Sequence, residues 1–152
     1  PRSHGGLGAD LPSAMRTFEA LARADASVGW TVMIGAGSWC DLAGLPRASF
    51  DALFDGRDDV IFAGVFNPTG SATAIDDGYQ VQGRWAFASG CQHCHWLYGN
   101  CVEGNLGAPR LRTVVFSPAE IEIQGQKLTL MDSLTVIQKT AAQILTAVQP
   151  ET

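Results

Sequence analysis

The chain has 152 residues, enough for one domain or two small ones. Hydrophobic residues make up 46% and charged residues 16%, a composition that supports a buried core and excludes an intrinsically disordered chain. The formal net charge is −5, from 10 Lys+Arg against 15 Asp+Glu with no basic run, so nucleic acid and anionic membrane are excluded as expected partners.

The opening segment, PRSHGGLGAD, lacks the charged-then-apolar pattern of a signal peptide. The longest apolar stretch, Val28 to Ile34, is broken by Gly29 and is far shorter than the ~20 residues of a membrane span. A cytoplasmic protein is the expectation. The chain has no initiator Met and starts inside a Gly-rich segment, which reads as a truncated or processed piece of a longer protein.

Leu11-Pro12-Ser13 is a helix-start signal, with Ser13 as the expected N-cap. Met15, Phe18, Leu21 and Ala22 then share one helical face, and Glu19 and Arg23 form an i, i+4 pair on the polar side. Asp25-Ala26-Ser27 reads as a break and a new cap. A second helix is expected over Val28 to Leu42, rich in small residues that allow close backbone approach. A third is expected from Pro46, burying Phe50, Leu53 and Phe54 and ending at Asp55-Gly56.

After Gly56 the pattern changes to short apolar runs separated by turns: VIFAGVF, NPTG, ATAI, DDG, YQVQG. Asp77-Gly78 between two runs is a hairpin signal. Further strand-like runs follow at WLYGNCV, LRTVVF and EIEI. The spacing is too short for crossover helices and predicts an antiparallel β-domain. Toward the end, LTLMDSLTVI reads as strand, while TAAQILTAVQ reads equally as helix. The expected class is α+β, divided into a helical segment at 1–56, a β-domain at 57–131 and an unassigned tail at 132–152.

Four cysteines are present, and Cys91, Cys94 and Cys101 lie close together in sequence. Cys91-Gln92-His93-Cys94-His95 matches the c-type haem attachment pattern, and with Cys101 the same residues could supply zinc ligands. Structural zinc usually takes two ligand pairs separated by a spacer of about a dozen residues. On a strand, Cys91, His93 and His95 would face one side and Cys94 the other, a poor shell for four ligands. The expectation is therefore no metal. A non-enzymatic module stabilised by metal at these residues, or an inactive remnant, is the alternative of another class. No Ser/His/Asp arrangement, dinucleotide fingerprint or calcium loop stands out.

Four segments, in order, resemble the acyl-CoA dehydrogenase superfamily: HGGLGAD at 4–10, ADASVGWTVMI at 24–34, FAGVFNPTGSA at 62–72 and GYQVQGRWAFASGCQHCHW at 78–96. The Arg-Trp-x-Phe-x-Ser-Gly-Cys form is closest to the flavin-dependent two-component monooxygenase (hydroxylase) branch. The resemblance covers roughly the first 125 residues. It implies N-terminal helices followed by an antiparallel, barrel-like β-domain, with the family's C-terminal helical bundle missing. It also implies FAD or FMN as cofactor, a flavin reductase as partner, a small-molecule substrate and a homotetrameric parent protein. In that branch, flavin reduced by the partner reacts with oxygen, and an aromatic or heteroatom substrate is oxygenated. In the dehydrogenase branch, an acyl thioester is oxidised instead. Typical dehydrogenases carry Thr-Glu-Pro where this chain has Phe66-Asn67-Pro68, which favours the monooxygenase branch.

A flavin ring is flat and mostly apolar with polar edges, so its site needs an apolar wall and a few directed hydrogen bonds. Trp85, Phe87 and Ser89, spaced two apart on an expected strand, would face one side and supply both. Pro68 and Gly70 would shape the turn from which the Ser71 hydroxyl and backbone N–H groups meet the cofactor. The plain alternative is that the aromatics are core packing and Pro-x-Gly-Ser only a turn. The family's catalytic base lies in the missing bundle, so the catalytic residue is unknown. After the Glu120–Gln124 run, Asp132-Ser133-Leu134 and then QKTAAQ replace the family's Asp-x-Trp and Gly-rich segment, so no flavin contact is expected from that stretch.

Overall fold

The computed structural model describes residues 2–76, 78–104, 110–124, 127–130, 134–137 and 144–146. Three α-helices come first: α1 (Leu11–Ala24), α2 (Ala26–Leu42) and α3 (Arg47–Phe54). Strands follow: β1 (Phe62–Ile75), β2 (Gly78–Gln82), β3 (Arg84–Ala86), β4 (Trp96–Glu103), β5 (Arg110–Phe116), β6 (Ile121–Gln124), β7 (Lys127–Leu130), β8 (Leu134–Ile137) and β9 (Ile144–Thr146). None of the described helices is long and apolar enough to cross a membrane.

The helices start and stop for local reasons. Asp10, not Ser13, caps α1: its carboxylate accepts the Ser13 N–H at 2.7 Å. Pro12 sits in the first turn, where its missing N–H costs nothing. Asp25 ends α1 and also caps α2, accepting from the N–H groups of Ser27 and Val28. The α3 helix ends as expected, with Asp55 (φ 47°) and Gly56 (φ 73°) in left-handed conformation. Phe50 and Leu53 are buried. Helix α1 has no buried residue, and Leu11 and Met15 on it are exposed.

The strands form a six-stranded sheet, order β8-β2-β1-β4-β5-β9, and a three-stranded sheet, order β3-β7-β6. The expected class, α+β, is the observed one. The expected antiparallel pattern needs correction at its centre, because β1 and β4 pair in parallel while β1–β2, β4–β5 and the other pairs are antiparallel. Parallel neighbours need a long return connection. Here that return is made by β2, β3 and the 87–95 loop rather than by a helix. The stretch TAAQILTAVQ, open between helix and strand in the sequence, contains a strand at Ile144–Thr146 that pairs with β5. Residues 132 and 133 of the diverged segment, and Asp77 of the expected hairpin turn, lie outside the described residues.

FAGVF, NPTG and ATAI, expected as separate pieces, are one long strand interrupted by a bulge. Val65 lies opposite Gly99 and Gly70 opposite Cys101, so residues 66–69 stand against Asn100 alone. Pro68 has no N–H to give a ladder, and a bulge is where a strand tolerates it. Asn100 pins the excursion: its side chain donates to the Phe66 carbonyl at 2.7 Å and accepts from the Thr113 hydroxyl at 2.6 Å.

The core has two parts. On one side of the sheet, Leu42, Leu45, Phe50 and Leu53 from the helical segment pack on Phe62, Tyr98 and Val115. Trp39 packs in tilted and edge-on contacts with Phe50, Phe54 and Phe62 there. The other part, between the two sheets, is built around Trp85. Its indole is fully buried, lies 5.3 Å from the Phe116 ring, and donates to the Asn100 carbonyl at 2.8 Å. A Cβ at Gly70, Gly83 or Gly99 would collide with that indole, so the three glycines form a slot cut to the shape of one tryptophan.

Candidate functional site

The site is built where α2 faces the turn after β3. The strand stops at Ala86, and Phe87 takes φ 65°, a left-handed conformation uncommon for a bulky residue. The reversal turns the chain outward. Trp85 remains fully buried, whereas Phe87 is 82% exposed. The expected shared face of Trp85, Phe87 and Ser89 is therefore not formed, because β3 is too short to carry the alternation that far. Trp85 stands behind the site, and Phe87 stands in it.

Closely spaced hydrogen bonds hold the turn. The Ser89 N–H donates to the Phe87 carbonyl at 2.9 Å, the Cys91 N–H to the Ala88 carbonyl at 3.2 Å and the His93 N–H to the Gly90 carbonyl at 3.0 Å. Gly90 has φ 80°, and a Cβ there would press on the Thr31 methyl at 3.1 Å, so only glycine lets the turn approach α2 this closely. One side-chain bond crosses the gap: Trp30 Nε1–H donates to Ser89 Oγ at 3.0 Å.

Phe87 separates two clefts. One, about 620 Å³, is lined by Ser27, Trp30 and Thr31 of α2 and by Phe87, Ser89 and Gly90 of the turn. The other, about 330 Å³, is lined by Val65, Asn67, Thr69, Arg84 and Ala86, again with Phe87. The larger cleft offers two exposed aromatic surfaces, a hydroxyl and a backbone approachable at a glycine. A flat apolar ring with polar edges requires such features, so these residues fit a flavin ring.

The other sequence-predicted residues distribute around this site. Gly70 is buried against Trp85 and Cys101, so it is needed by the core rather than for approach to a ligand. Pro68 lies in the bulge that presents Asn67 and Thr69 to the smaller cleft, and the Thr69 hydroxyl donates to the Arg84 carbonyl at 2.8 Å. Ser71 is exposed on β1 just beyond the bulge, paired with Gln82 of β2. Trp30, Thr31, Asn67, Thr69 and Arg84 line the clefts without having been singled out individually. Each falls inside a quoted motif, but only the folded chain shows which motif residues meet.

The Cys/His cluster lies on the 88–95 turn rather than on a strand, since β4 begins at Trp96. Alternation therefore does not govern where these side chains point. His95 is committed to structure, with Nδ1 accepting the Ile61 N–H at 3.0 Å and Nε2 lying 2.8 Å from Arg57 Nη2. The Cys94 thiol donates to the Cys91 carbonyl at 3.3 Å. Burial pushes the Cys94 thiol up to about 11 and that of Cys101 to about 12, and it raises Cys91 as well. Such thiols stay protonated at neutral pH and are weak ligands and nucleophiles. Among the described residues, no group of three or more His, Cys, Asp or Glu is arranged to hold a metal ion.

Comparison with known proteins gives the chain relatives. Over 97 residues, 63% of the chain, it is 35% identical to the oxygenase component of an FADH(2)-dependent resorcinol hydroxylase from Rhizobium sp.. Over 113 residues, 70% of the chain, it is 37% identical to an indole-3-acetate monooxygenase from Acinetobacter baumannii. The chain is a homologue of flavin-dependent monooxygenase oxygenase components. The matched part spans only 24% and 28% of those two relatives. No protein-family model matches. In structure, 96% of the chain superposes on a 3-HSA hydroxylase from Rhodococcus sp. RHA1 with a TM-score of 0.80 and 22% identity. Likewise 97% superposes on XiaF from Streptomyces sp., solved in complex with FADH2 and glycerol, with a TM-score of 0.81 and 21% identity. The chain covers 41% and 40% of those two structures, and at these identities the likeness establishes the fold.

Proposed function

We propose that the protein is the oxygenase component of a flavin-dependent monooxygenase, taking reduced flavin from a separate reductase and oxygenating a small-molecule substrate. One observation carries the reading: an exposed aromatic, Phe87, is held at positive φ between two clefts, beside the Ser89 hydroxyl, in a chain homologous to such oxygenases. Bound reduced flavin would supply the electrons that activate dioxygen. The chain's own residues bind and orient it. Phe87 and the Trp30 ring form the apolar walls. Ser89 offers a hydroxyl to a polar edge, and Gly90 lets the backbone come close. Trp85 and Gly70 support this surface from below. Pro68 shapes the bulge, and Ser71 is assigned to the part of the cofactor beyond the ring. Residues 1–56 and 57–131 then act as the helical and strand halves of one site. The exposed apolar residues Leu11 and Met15 on α1 support assembly into a larger body, with a cytoplasmic homotetramer as the expected form.

The test is anaerobic titration of the full-length protein with reduced FAD and reduced FMN, followed by oxygen uptake with a flavin reductase and NADH. Micromolar or tighter binding of one reduced flavin supports the reading. No binding of either flavin in either redox state would refute it. Reduction of bound flavin by an acyl-CoA, with no reductase present, would move the protein to the dehydrogenase branch.

A further inference from the structure

We infer that Trp30 is a positioning residue that aims the Ser89 hydroxyl proton into the larger cleft. The inference rests on the flavin reading above. Ser89 has one hydroxyl, which can give one hydrogen bond and accept two. The Trp30 indole is a donor only, and its Nε1–H sits 3.0 Å from Ser89 Oγ, so it takes a lone pair of that oxygen. The Ser89 backbone N–H is spent on the Phe87 carbonyl at 2.9 Å. The hydroxyl proton is therefore the one donor this residue has left, and it cannot turn toward Trp30. Both residues line the cleft, Trp30 is 54% exposed there, and no acceptor for the proton is found among the described residues. A ligand arriving in the cleft meets a donor that is already kept from turning toward Trp30. The natural match is an acceptor atom on a polar edge of the ring, such as a carbonyl oxygen.

The bond also spans 59 residues of sequence and joins α2 to the turn that follows β3. Orientation fixed before binding spares the ligand the cost of ordering the group that receives it.

The experiment is a double-mutant cycle read as affinity for reduced FAD, in the full-length protein under anaerobic conditions. Trp30→Phe keeps an aromatic wall and removes the N–H. Ser89→Ala removes the hydroxyl, and Ser89→Thr keeps it. Loss of one neutral hydrogen bond predicts a weakening of about fivefold for Trp30→Phe and at least that for Ser89→Ala. The double variant should bind no more than about twofold more weakly than Ser89→Ala alone, because Trp30 acts through Ser89. Ser89→Thr should restore near-normal affinity. Unchanged affinity in Trp30→Phe, or an effect that multiplies with that of Ser89→Ala, overturns the inference while leaving the flavin site in place. Should Trp30→Phe fail to fold by circular dichroism, unchanged affinity in Ser89→Ala overturns it instead. Absence of flavin binding in the unmodified protein overturns the reading beneath it.

Discussion

Replacing Phe87 with glycine should make the protein slightly more stable and worse at binding flavin. The backbone at Phe87 has φ 65°, and an L-residue held in the left-handed region costs about 1–2 kcal/mol. Glycine avoids that cost but adds about 0.5–1 kcal/mol of unfolded-state entropy. The side chain is 82% exposed, so its removal forfeits little burial. The net gain is about 0.5–1 kcal/mol, or roughly 1–4 °C in Tm for a chain of this size. Thermal unfolding followed by circular dichroism, without flavin, measures the first half. Titration with reduced FAD measures the second, where loss of an aromatic wall should weaken binding about tenfold or more. Strain of this kind persists at sites that use it. A fall in Tm of several degrees would show that Phe87 is a packing residue. Unchanged affinity would show that the left-handed turn does not present it to the flavin.

Gly99→Ala places a methyl group in the Trp85 slot and should destabilise by about 1–3 kcal/mol, seen as a lower urea midpoint. Asn100→Ala removes the bonds to Phe66 and Thr113 and should cost about 1–3 kcal/mol while increasing amide exchange at residues 66–69. Cys40 is exposed and the Cys91 and Cys101 thiols are buried, so brief alkylation at pH 8 should label Cys40 first by mass spectrometry. The raised thiols also set a pH dependence. Above the ordinary cysteine value of about 8.5 the unfolded chain loses thiol protons that the folded chain keeps until about 11 at Cys94 and about 12 at Cys101. Stability from these groups is thus complete below about pH 8.5 and is lost as pH rises toward 12, which alkaline denaturant titrations would show and a Cys101→Ala variant would reduce.

Local signals carried the fold where the chain's neighbours in sequence are its neighbours in space. The helix boundaries near Asp25 and Asp55 follow from capping and left-handed termini, and these are written in single residues. The parallel pairing of β1 with β4 is not written that way, because Phe62 and Trp96 meet only after two strands and a loop have closed between them. The same limit explains the site. A period of two correctly marks Trp85 as inward, yet it cannot show that β3 ends one residue later and that Phe87 reverses. The glycines illustrate a further ambiguity. Gly70 and Gly90 both sit in the quoted motifs, and both permit close approach. One approaches a buried indole and the other a helix across an open cleft. Sequence shows that a Cβ is missing, but not what occupies the space. The Trp30–Ser89 bond lies at the far end of this scale, linking two motifs 59 residues apart. Each motif taken alone supplies a plausible aromatic or hydroxyl. Only their meeting brings the Trp30 N–H onto the Ser89 oxygen and sets both residues on one cleft.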